Sequence, residues 1–141
     1  MANGILTPAA VLVLWTIAML VWVGMTRLPA LKSAGIDMSK AVGGRGADLE
    51  GVLPANVNWK AHNYAHLVEQ PTIFYATVAI LAIAGAATQF DVALAWAYVG
   101  LRVIHSFVQA TVNRIAIRFP VFVLSTLVLL VLAVNALRAT L

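Results

Sequence analysis

The chain has no cysteine and very little charge. Without a cysteine among its 141 residues, it can form no disulfide, thiolate metal centre or cysteine nucleophile. Charged residues make up 10% of it and hydrophobic residues 62%, whereas soluble domains are about one quarter charged. That composition excludes disorder, a coiled coil and nearly every soluble enzyme. Acidic residues are scarcest: five Asp and Glu stand against nine Lys and Arg, a net charge of +4. In a soluble protein a pI near 10.0 would point to nucleic acid. Here the basic residues lie mostly between apolar runs, which is a signal of membrane topology. No nucleic-acid partner is expected.

What the sequence does have is four long runs nearly free of charge: 1–26, 70–90, 92–113 (interrupted by Arg102) and 119–137. Since about 20 apolar residues cross a bilayer, the chain reads as an all-α membrane protein. It is expected to form a single domain, a bundle of four transmembrane helices over about 7–27, 58–87, 91–113 and 119–139. The first run has no basic leader and carries Trp15 and Trp22, so it reads as a retained helix and not as a signal peptide. Thr7 and Pro8 look like a helix start, Pro29 like a stop and Pro71 like a kink. Asp91 is the expected N-cap of the third helix.

The stretch 28–56 is long for a helix connection. Its Gly43-Gly44-Arg45-Gly46 could cradle an anion through backbone N–H groups or serve simply as a loop. Arg27, Lys32, Lys40, Arg45 and Lys60 flank or occupy this connection, and Arg114 and Arg118 lie at the next one on the same side. Only Arg138 lies opposite. Positive charge concentrates in the cytoplasm, so the loop 28–56 is expected there and both termini outside.

Chemistry could reside in the second and third helices. His62, His66 and Glu69 follow at helical spacing along one face, with Asn63 and Gln70 beside them. Arg102, His105, Gln109 and Asn113 form a similar face, with Ser106 adjacent. Charges inside a membrane face the bundle interior or a wet cavity, and they pair; Glu69 and Arg102 are the expected partners. The His62, His66 and Glu69 spacing is also that of any polar helix face, so no metal is assigned.

These residues resemble the MAPEG superfamily, the membrane-associated proteins in eicosanoid and glutathione metabolism. The family's second helix carries Asn-x-x-Glu, then a proline and an aromatic; this chain reads His66-Leu67-Val68-Glu69-Gln70-Pro71, then Phe74-Tyr75. The third helix carries Arg-x-x-His or Tyr, a Tyr four residues on and an Arg nine further; this chain reads Arg102-Val103-Ile104-His105, Gln109 and Arg118. His66, Gln109 and His62 stand where the family has asparagine, tyrosine and arginine, and Lys60 lies near the last of these.

The resemblance implies a left-handed bundle assembled as a homotrimer among membrane lipids, with a glutathione site between protomers near the cytoplasmic side. It implies that Glu69 binds the glutathione amine, that Lys60, His62, His66, Arg102, His105 and Gln109 line the site, and that Arg118 stabilises the thiolate. The expected function is that of a membrane glutathione transferase or peroxidase acting on lipophilic electrophiles or lipid hydroperoxides, in a bacterial inner membrane. The alternative is a non-enzymatic trimeric scaffold or an accessory subunit of a larger membrane complex.

Overall fold

A computed structural model describes residues 2–141. It contains four α-helices: α1 (Ala2–Ser33), α2 (Ala55–Ile83), α3 (Gln89–Thr111) and α4 (Ile115–Arg138), with one 3-10 turn (Gly46–Leu49) between α1 and α2. The described residues contain no strand. All four helices are long and apolar enough to cross a membrane, so the chain is an integral membrane protein. Side chains such as Leu14, Met25, Ile73 and Leu130 lie exposed on the bundle surface, where a bilayer would solvate them.

The inner seam follows a seven-residue step. Ile5, Leu12 and Met19 on α1, and Leu67, Phe74 and Leu81 on α2, are all buried. Leu129, Leu132 and Ala136 bring α4 into the same core. A strict step of seven is shorter than two full helical turns, and it favours the left-handed supercoil. The stripe α3 turns inward is partly polar: Arg102, His105, Ser106 and Gln109 are buried alongside Ala95, Tyr98 and Val99. Tyr98 stacks on Phe74 with ring centroids 4.4 Å apart. Its hydroxyl donates to Gln70 Oε1 at 3.2 Å, and Gln70 Nε2 donates to Thr126 Oγ1 at 2.8 Å. One hydrogen-bonded chain thus ties α3, α2 and α4 together.

Helix boundaries depart from the sequence reading in specific ways. α1 starts before Thr7 and continues past Pro29, with both Pro8 and Pro29 inside it. Each proline removes a single helical donor, and a bilayer offers the backbone no competing water. Thr26 Oγ1 also bonds the Trp22 carbonyl at 2.9 Å, shoring up the turn before Pro29. α2 ends at Ile83 because Gly85 takes φ +64° and Ala86 N–H reaches back to the Leu81 carbonyl at 3.2 Å, a glycine-type helix stop. The cap of α3 is Thr88 and not Asp91. Thr88 Oγ1 accepts from Asp91 N–H at 3.2 Å while Asp91 Oδ2 accepts from Thr88 N–H at 2.9 Å, a reciprocal capping box. Asn135 of α4 adds a bond of 2.7 Å to the other oxygen of Asp91. α4 starts at Ile115, ahead of the expected 119, so Arg118 lies within its first turn.

Candidate functional site

α2 and α3 run antiparallel in a fixed register. Tyr98 meets Gln70, and four residues on, Arg102 Nη2 donates to the His66 carbonyl at 2.8 Å. The acceptor sits next to Leu67, whose own carbonyl is the one Pro71 leaves without a helical donor. Three residues further along each helix, Asn63 and His105 stand about level. The two polar faces therefore meet on the loop side of the Tyr98–Gln70 bond.

There they open a cavity of about 200 Å³ lined by His66, His105, Arg118, Ile115, Phe119 and Phe122. One histidine comes from α2, one from α3 and the arginine from α4. The His66 and His105 rings lie 5.9 Å apart, and Phe122 stands within 6.4 Å of the first and 6.0 Å of the second. Three of the residues expected from the sequence thus converge, facing an apolar wall from the start of α4.

Arg118 is held by the α3–α4 turn. Asn113 adopts φ +52°, the left-handed conformation that asparagine tolerates better than most residues. Its N–H bonds the Val108 carbonyl at 2.7 Å, closing α3. Its side-chain oxygen then accepts from Arg118 Nη1 at 2.6 Å. The turn that ends one helix therefore fixes the cation at the start of the next.

The expected Glu69–Arg102 pair does not form. Glu69 lies two residues from Leu67 on the buried seam, about 200° around the helix, so its carboxylate points off the bundle. Its side chain is 66% exposed, and Oε2 lies 3.8 Å from His66 Nδ1. Arg102 is buried behind the cavity, with its guanidinium 5.8 Å from the Phe122 ring. Its Nε and Nη1, the Asn63 amide and Gln109 Oε1 are buried with no partner among the described residues. An unpaired guanidinium in an apolar bundle is costly, and the aromatic face offsets only part of that cost. Arg102 therefore stands behind the Phe122 wall, and neither it nor Gln109 lines the cavity.

Lys60 and His62 lie elsewhere. Lys60 Nζ donates to the Asn56 carbonyl at 2.7 Å and sits over the Trp22 ring at 5.4 Å. His62 bonds Glu50 in the loop. It lines a second cavity, of about 400 Å³, with Arg27, Gly46, Ala47 and Glu50. Arg27 Nη2 donates to the Gly46 carbonyl at 3.2 Å and to Asn58 Oδ1 at 3.4 Å, so the Gly-Gly-Arg-Gly segment is strapped onto the end of α1. Sequence reasoning missed the tether in Asn113, the aromatic wall of Phe119 and Phe122, and the strap in Arg27. Asparagine just after an apolar run and before an arginine was the available signal for the first.

Residues 5–138 match the MAPEG family. No curated protein and no solved structure matches the chain. With nearly its whole length covered by the match, the chain belongs to the MAPEG family.

Proposed function

We propose that this MAPEG chain is a membrane glutathione transferase or peroxidase, and that the cavity of His66, His105 and Arg118 is where the thiol and a lipophilic substrate meet. The observation that carries the reading is the tethered guanidinium of Arg118 in a cavity whose other wall is apolar. A free thiol ionises near pH 8.5, and a fixed cation beside it favours the thiolate, which is the nucleophile. Ile115, Phe119 and Phe122 suit an electrophile or hydroperoxide that partitions from lipid.

Glutathione is anionic and bears an amine, and the flanks of the cavity match both. Glu69 presents an exposed carboxylate off the protomer surface. That orientation supports a homotrimer in which the tripeptide lies between copies, with its amine on Glu69 and its sulfur towards Arg118. The excess of basic residues at the loop end supports a cytoplasmic site in a bacterial inner membrane.

Titration calorimetry of glutathione into detergent-purified protein tests the reading. Saturable binding that is lost in E69A and R118A is the expected result, together with loss of turnover in R118A while the oligomer persists. No binding at millimolar glutathione would overturn the reading and leave a trimeric scaffold as the better account. Full turnover in R118A would refute the role of the arginine.

A further inference from the structure

We propose that Glu69 and His66 form a carboxylate–imidazole pair that protonates the oxygen leaving the substrate, so that the site is built for hydroperoxides and epoxides. The inference rests on the thiol-dependent reading above and assigns a proton donor within it. His66 is the cavity histidine with a carboxylate beside it: Glu69 Oε2 lies 3.8 Å from its Nδ1. His105, in the same cavity, is buried against His66 and Phe122. A carboxylate at one ring nitrogen orients an imidazole and commits the opposite nitrogen to chemistry. With Nδ1 the nitrogen nearer Glu69, the proposed donor is Nε2. Such pairs are often long before substrate is bound and tighten in the complex. His66 is also 40% exposed in its side chain, so water can return the proton after each cycle. Its backbone is fixed at the same point by the bond from Arg102 to its carbonyl.

The step balances. The thiolate sulfur at Arg118 attacks the terminal oxygen of a hydroperoxide, forming the S–O bond as the O–O bond breaks. The inner oxygen leaves as an alkoxide and takes the Nε2 proton of the His66 imidazolium, giving an alcohol, a sulfenic acid and a neutral imidazole that water reprotonates. A second thiol condenses with the sulfenic acid to give a disulfide and water, so two thiols are oxidised as one hydroperoxide is reduced. With an epoxide, an S–C bond forms, the C–O bond breaks, and the same proton goes to the alkoxide. An aryl halide releases halide and needs no proton at all.

That contrast is the test. Glutathione turnover is measured with cumene hydroperoxide and with chlorodinitrobenzene, in wild type, H66N and E69Q, and the readout is the ratio of the two rates. General acids contribute about a hundredfold or more, so H66N is expected to lower the hydroperoxide-to-halide ratio by about that factor. E69Q, a positioning change, is expected to lower the same ratio about tenfold through kcat. A ratio unmoved in H66N overturns the proposal, even if both rates fall. In E69Q, a rise in thiol KM common to both substrates, with the ratio unmoved, overturns the pairing and leaves Glu69 as an amine anchor. Wild-type turnover of the halide with none of the hydroperoxide overturns the proton donor alone. Turnover of neither overturns the thiol-dependent reading as well.

Discussion

Replacing Asn113 with glycine should weaken catalysis without touching any group that meets substrate. Asn113 does two things: it adopts φ +52°, and its oxygen holds Arg118 Nη1 at 2.6 Å. Glycine takes positive φ without strain, so N113G keeps the turn and deletes only the tether. A freed arginine regains up to about 2 kcal/mol of rotamer entropy, which must be lost again when an anion is held. At about 1.4 kcal/mol per factor of ten, kcat/KM for glutathione conjugation should fall about ten- to thirtyfold. N113D separates tethering from charge. Its carboxylate would grip Arg118 harder yet cancel the field the thiolate depends on, so N113D should fall below N113G. The assay is steady-state conjugation by detergent-purified protein, with thermal unfolding followed in parallel to show that the turn survives. N113G within about twofold of wild type, or N113D faster than N113G, would refute the reasoning.

Other perturbations report on the frame around the cavity. F74A removes a fully buried ring stacked on Tyr98 and should lower stability by about 3–5 kcal/mol, seen as a large drop in the detergent unfolding midpoint. N135A strips one oxygen of the buried Asp91 of its donor, at a cost of about 1.5–3 kcal/mol by the same measurement. R27A releases the loop from α1, so limited proteolysis within residues 41–46 should speed up while the four helices stay intact; unchanged cleavage would show that the strap does not hold. G46A should do the same more mildly, because an added Cβ would lie 3.0 Å from Arg27 Nη1.

Much of this was legible from residue order, because a bilayer imposes simple rules. Four charge-poor runs had to be four helices, since no other open structure satisfies the backbone in lipid. The two polar faces were readable from helical spacing, and the cavity does gather His66, His105 and Arg118. Helix ends were less legible. Pro8 and Pro29 read as boundaries by the rules of water, where a broken turn finds solvent partners, and the helix runs through both. The Glu69–Arg102 pairing failed for a reason of angle: spacing places Glu69 near the polar face, but the buried seam through Leu67 turns its carboxylate outward. His62 shares that face by sequence yet bonds Glu50, because the loop folds back to meet it, while Lys60 turns to the Asn56 carbonyl one turn earlier in its own helix. No periodicity in a single helix encodes where a loop returns.

The stack of Phe74 on Tyr98 divides the interior of the bundle. On the loop side of it lie imidazoles, a guanidinium and amides. On the far side the interior is mostly apolar, with Val78, Leu81, Ala95, Leu129, Leu132 and Ala136 and a Thr77 hydroxyl bonded within its own helix, until Asp91 and Asn135 bond at the other end. Tyr98 and Asp91 are seven residues apart, about 10 Å along the helix. The cavity of His66, His105 and Arg118 is therefore set off from the opposite end of the bundle by mostly apolar packing.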